Sequence, residues 1–143
     1  ASICDLAEQT CSEIGGIPAG ARVNAVRCAP SNSDVILISA SVDGHLAIHL
    51  STDGGSTTTE ILRSSSITRP IIEIDRDDED IFFVLNRSSG TLHRSLDRGA
   101  TFDDVSPENL RPPAATVIYN MAAGPGGSLY ALAHPGLIVL PAP

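Results

Sequence analysis

Two octapeptides constrain this chain more than any other feature. Ser51-Thr-Asp-Gly-Gly-Ser-Thr-Thr58 recurs as Ser95-Leu-Asp-Arg-Gly-Ala-Thr-Phe102, so a Ser-x-Asp-x-Gly-x-Thr string returns after 44 positions. A fixed period of that size marks a supersecondary unit used more than once, and about 40 to 45 residues suit a unit of four short strands.

The flanking sequence repeats with the string. Residues 22–66 can be laid over 67–110. In the first unit, Val26 and Cys28 lead to the turn Pro30-Ser-Asn-Ser-Asp34, the run Val35–Ser39, a turn at Asp43-Gly44, the run His45–Leu50, the string, and Thr57–Leu62. In the second, Ile72 and Ile74 lead to Asp75–Asp80, the run Ile81–Leu85, a turn at Ser88–Gly90, the run Thr91–Arg94, the string, and Thr101–Val105. Each run is short, rich in β-branched residues and bounded by Gly, Pro, Asn or Asp, which predicts strands. With twelve Gly and ten Pro in 143 residues, the chain suits many tight turns rather than long helices. A third unit, with strands at Val117–Met121, Leu129–Ala133 and Leu137–Leu140, has neither string nor fourth strand. At the other end, Thr10–Ile14 aligns with Thr57–Ile61 and reads as a fourth strand. The predicted division is therefore 1–21 as an N-terminal segment with that fourth strand, 22–66 and 67–112 as complete units, and 113–143 as a three-stranded partial unit.

Ser51, Asp53, Gly55 and Thr57, and Ser95, Asp97, Gly99, Thr101 and Phe102, resemble the Asp-box, or bacterial neuraminidase repeat, whose pattern is Ser-x-Asp-x-Gly-x-Thr-aromatic. The resemblance implies an all-β chain of β-propeller blades, four antiparallel strands to a blade and about three blades to the chain. Three blades cannot close a ring, so it also implies completion by a second copy or within a larger complex. In the simplest closure, Thr10–Ile14 of one copy would lie beside Leu137–Leu140 of another.

The chemistry of the box is that of a turn. An Asp carboxylate there accepts hydrogen bonds from nearby backbone N–H groups, Gly takes a positive φ, and the hydroxyls add local bonds. The aromatic of the family pattern plugs the turn against the sheet. Phe102 fits that role and Thr58 does not, which predicts a less anchored first turn. The box residues are accordingly expected to be structural, with no catalytic residue, no metal site and no cofactor. The acidic run Asp75–Asp80 lacks the Gly and distal Glu of an EF-hand loop and reads as a solvated hairpin turn. His49 and His93, each two residues before a box Ser, read as packing residues. The sialidase Arg-Ile-Pro string is missing: Arg22-Val23 and Arg69-Pro70-Ile71 do not reproduce it.

A formal charge of −8, with seventeen acidic residues against nine Arg and no Lys, argues against binding nucleic acid or anionic lipid. No apolar run is long enough for a membrane helix. Cys4, Cys11 and Cys28 leave one thiol over if Cys4 and Cys11 pair, an arrangement that fits an exported, oxidising location. The expected function is a non-enzymatic propeller module that binds a protein partner through ring-face loops. The alternatives are a fragment or remnant of a sialidase-like glycoside hydrolase, or a lectin.

Overall fold

The computed structural model describes residues 2–5, 10–107, 117–134 and 136–140, with the side chains of residues 3–5, 10, 11 and 125 left aside. The strands are β1 (Ser2–Asp5), β2 (Thr10–Glu13), β3 (Arg22–Cys28), β4 (Ile36–Val42), β5 (His45–Ser51), β6 (Thr59–Ser64), β7 (Pro70–Ile74), β8 (Phe82–Asn86), β9 (Thr91–Ser95), β10 (Asp103–Asp104), β11 (Ile118–Ala123), β12 (Leu129–Ala133) and β13 (Leu137–Leu140). They form antiparallel meanders: a first sheet in the order β3-β4-β5-β6, a second in the order β7-β8-β9-β10, and a third of β11-β12-β13. Among the described residues there is no α-helix; the single helical turn is the 3-10 segment Pro125–Gly127.

Turn chemistry sets these strands. β4 and β5 are joined by Asp43-Gly44, both at positive φ (50° and 79°), the two-residue hairpin whose twist matches that of the strands. The turns into β4 and β8 are built alike. Asn32 Oδ1 accepts from the Asp34 N–H at 3.0 Å, and Asp78 Oδ1 from the Asp80 N–H at 2.9 Å. Ala29 N–H donates to Val35 O and Asp75 N–H to Ile81 O, each at 2.9 Å. The acidic run is thus a hairpin turn, as its alignment predicts.

The sheets stack face to face. One face of the first sheet (Leu37, Leu46, Ile48) buries against Ile72, Ile74, Phe82 and Val84 of the second. The opposite face of the second (Ile71, Phe83, Leu85, Leu92) buries against Ile118, Met121, Leu129 and Ala131 of the third. Burying each large side chain contributes about 1.5 to 3 kcal/mol, so aliphatic area replaces the aromatic bulk the chain lacks. The innermost strands neighbour one another, β7 touching both β3 and β11, and Arg27 Nε donates to Glu73 Oε1 at 2.9 Å between β3 and β7.

At the N-terminal end of this stack, Thr10–Glu13 pairs antiparallel with Ser2–Asp5 of the same chain; the expected pairing with Leu137–Leu140 is one between two copies. Ser2–Asp5 thus supplies a partner strand to Thr10–Glu13. Cys4 and Cys11 face each other in that register; their side chains lie outside the described ones. Ile14, just after β2, buries against Ile36 and Ile38 on the outer face of the first sheet. The outer face of the third sheet is bare: Leu137 is 61% exposed, and Tyr119, Tyr130, Leu132 and Val139 are exposed beside it. The predicted boundary at residue 112 lies outside the described residues.

Candidate functional site

The box residues form two networks with the same hydrogen-bond pattern. In the first, Ser51 Oγ donates to Asp53 Oδ1 at 2.8 Å and accepts from the Gly55 N–H at 2.8 Å. Asp53 then accepts from the Thr57 N–H (2.9 Å) and hydroxyl (2.6 Å). In the second, Ser95 Oγ donates to Asp97 Oδ1 at 2.8 Å and accepts from the Gly99 N–H at 2.7 Å. Asp97 accepts from the Thr101 N–H (2.8 Å) and hydroxyl (2.7 Å). Gly55 and Gly99 stand at φ 91° and 85°. The Thr57 hydroxyl and N–H, with Ser51, hold the Asp53 carboxyl down at about 2, and the Thr101 and Ser95 bonds lower that of Asp97. Each network also reaches back to the preceding turn, Gly54 N–H to Asp34 O at 3.1 Å and Arg98 N–H to Asp80 O at 2.9 Å.

Phe102 packs at the edge of the core between the first and second sheets. Thr58, where the pattern calls for an aromatic, donates instead from its hydroxyl to Gly15 O at 2.9 Å, and Gly15 N–H donates to Gly55 O at 3.0 Å. The first turn is thus held by hydrogen bonds to the N-terminal segment, and its internal network matches the second in length. Each box carboxylate thus takes hydrogen bonds from within its own turn.

A different group of residues lines an open cleft of about 770 Å³ at the opposite end of the first and second sheets. Four segments meet there: the start of β3 with Arg22 and Asn24, the β4–β5 turn with His45, the β6–β7 link with Thr68 and Arg69, and Arg87 after β8. Leu46, Ile67 and Pro70 give it an apolar wall, and among the described residues no Asp or Glu lines it.

The cleft is internally braced. Buried Asn86 accepts at Oδ1 from the Thr68 N–H (3.3 Å) and the Ser88 N–H (3.1 Å), and its amide donates to Ser66 O at 3.0 Å. Thr68 Oγ1 donates to Ser88 Oγ at 2.8 Å, joining the two loops. Arg87 Nε donates to Ile118 O at 2.8 Å, which fixes the orientation of its guanidinium. Asn24 Nδ2 donates to Ser41 Oγ at 3.0 Å. Arg69 sits at φ 51°, in the left-handed region that a non-glycine residue enters at a cost of about 1 to 2 kcal/mol.

The remaining candidates are placed without forming a site. His49 is buried on the outer face of the first sheet, where neither ring nitrogen has a hydrogen-bond partner, and desolvation lowers its pKa. His93 is half-buried on β9. Among the described residues no group of three His, Cys, Asp or Glu could hold a metal ion, and no helix is long and apolar enough to cross a membrane.

No family pattern matches the chain, and no curated protein matches it in sequence. Its fold does recur among solved structures. A GH74 enzyme from Niastella koreensis matches with a TM-score of 0.61 at 20% identity, over 82% of this chain and 21% of the enzyme. The GH74 xyloglucanase from Xanthomonas campestris matches with a TM-score of 0.56 at 18% identity, over 82% of this chain and 22% of the enzyme. Both are β-propeller proteins, and the antiparallel sheets described above are β-propeller blades. The chain spans about a fifth of the length of these enzymes.

Proposed function

We propose that the chain supplies a run of blades to a propeller of glycoside hydrolase type, and that its own part there is to bind polysaccharide rather than to cleave it. The observation that carries this is the recurrence of 82% of the chain in the fold of two GH74 enzymes. This favours the glycoside hydrolase alternative over the scaffold module expected from the sequence. The braced cleft between the first two blades is the natural place for a ligand, being concave, partly apolar and furnished with convergent polar groups. Glycoside hydrolysis of the usual kind needs two carboxyl groups flanking the bond, and among the described residues none lines the cleft. In this reading the boxes are Asp-boxes acting as folding devices, and the cysteines belong to an exported protein. The test is affinity electrophoresis of the chain through gels containing xyloglucan or another β-glucan, with a reducing-end assay on the same glycans. Retardation without release of reducing ends is expected. Release of reducing ends at an enzymic rate would give the chain a complete active site, and free migration through every glycan would remove the polysaccharide reading.

A second reading concerns assembly. The bare face of the third sheet has the apolar alternation with which the inner sheets bury each other, so a further blade, from a second copy or a larger complex, would cover it.

A further inference from the structure

We propose that the cleft between the first two blades is an anion site, built for an acidic oligosaccharide whose successive sugars carry carboxylates. The inference rests on the polysaccharide reading and adds the class of sugar. Arg22, Arg69 and Arg87 come from three separate segments and line one cavity, with no acidic residue among its described lining. In a chain of net charge −8 with only nine arginines, that segregation places positive potential where the protein as a whole has little. The other arginines with assigned ion pairs, Arg27, Arg63 and Arg98, each face Glu or Asp at 2.9 Å or less. Among the described residues, Arg22, Arg69 and Arg87 have no carboxylate within ion-pair distance, so their charge is available to a ligand.

Preorganisation distinguishes the site from a chance grouping. Asn86 and the Thr68–Ser88 bond hold the loop that carries Arg69, and Arg69 stays in a strained backbone conformation. Arg87 is tethered through Nε alone, which leaves its two terminal nitrogens for a carboxylate fork. Three guanidinium groups spread over about 770 Å³ suit several anionic groups in series better than one small anion. Asn24, Ser41 and Thr68 add the amide and hydroxyl partners that sugar hydroxyls need.

Isothermal titration with oligogalacturonate, its methyl ester, a xyloglucan oligosaccharide and inorganic sulfate tests the proposal. The methyl ester keeps the sugar backbone and removes the charge. Oligogalacturonate is expected to bind at least about tenfold tighter than its ester, with affinity falling as salt rises from about 50 to about 500 mM. The exposed pair substitution R22Q/R69Q is expected to lower that affinity at least about tenfold with an unchanged melting temperature. Equal binding of acid and ester, unaltered binding by R22Q/R69Q, or sulfate binding as tightly as the oligosaccharide would each overturn it. Xyloglucan binding without galacturonate binding would overturn this inference while leaving the polysaccharide reading in place.

Discussion

Gly99 lies directly against Ile61: a Cβ added to the glycine would stand 2.5 Å from Ile61 Cδ1. The second box therefore meets the last strand of the preceding blade at a point where there is no room for a side chain. The φ of 85° at Gly99 adds a second demand for glycine at the same place.

Gly99→Ala is expected to destabilise the chain by about 2 to 3 kcal/mol, combining the left-handed backbone penalty with overpacking, and to lower its melting temperature by roughly 8 to 12 °C. Ile61→Ala removes the obstructing atoms. The double variant should then be more stable than the sum of the two single losses, which a double-mutant cycle by calorimetry reads directly. Gly44, at φ 79° with open space around it, is the control. Its alanine variant should lose only the backbone part, about 1 kcal/mol.

The two box carboxylates make the fold acid-sensitive in a defined window. Asp53 falls from an ordinary 3.8 to about 2 through bonds from Thr57 and Ser51, and Asp97 is lowered by their counterparts. A carboxyl that is more acidic in the folded chain stabilises it above its unfolded value and ceases to do so as pH falls through the folded one. Melting temperature should therefore decline from about pH 4 towards about pH 2. In D53N/D97N the decline over that window should be shallower, and a carboxyl titration followed by NMR should place Asp53 near 2.

His49 gives a second, separate window. Burial disfavours its charged form, outweighing the attraction of Glu60 opposite it on β6, and Arg63 acts in the same direction as burial. Below its ordinary 6.5 the unfolded chain binds a proton there that the folded chain resists, so stability falls as pH drops through 6.5. His49→Leu should remove that slope. At neutral pH it should raise stability by about 1 kcal/mol, since two unpartnered ring nitrogens leave the core. Denaturant titrations at several pH values check both.

Thiol counting tests the N-terminal hairpin. Cys28 is exposed and free, and Cys4 stands opposite Cys11 in the β1–β2 register. The native, unreduced chain should yield one reactive thiol with Ellman's reagent, and all three cysteines should react after reduction and unfolding. Three reactive thiols before reduction would leave the hairpin unbridged.

The bare third sheet predicts self-association. Sedimentation equilibrium should show a mass that rises with concentration, and L137S/V139S, which lightens the most exposed strand, should bring it back towards the monomer. A concentration-independent monomer for the unaltered chain would count against assembly through this face.

The parts of the fold that could be read from the residues are those where local chemistry decides. The box and the turns before β4 and β8 are each closed by a few neighbouring side chains, so Asp53 with Thr57, or Asn32 with Asp34, suffices to announce them. The partner of Thr10–Glu13 was not legible, because strand pairing is a non-local choice and Ser2–Asp5 carries no marker of its own. Nor was the cleft. Arg22 and Arg69 stand in strings that do not reproduce the sialidase Arg-Ile-Pro, and nothing in a linear chain says that residues 22, 45, 69 and 87 share one wall. Asn86, which braces that wall, looks in sequence like one more polar residue before a turn.

The fasteners and the cleft lie at opposite ends of the same sheets. Ser51 and Ser95 close one end, and Arg22, His45 and Arg87 open the other. Random diversification confined to the arginine end should therefore yield a large fraction of folded clones, whereas the same library at the serine end should yield few. That polarity makes the module a practical starting point for selecting new saccharide binders, with the melting temperature of the parent carried through largely unchanged.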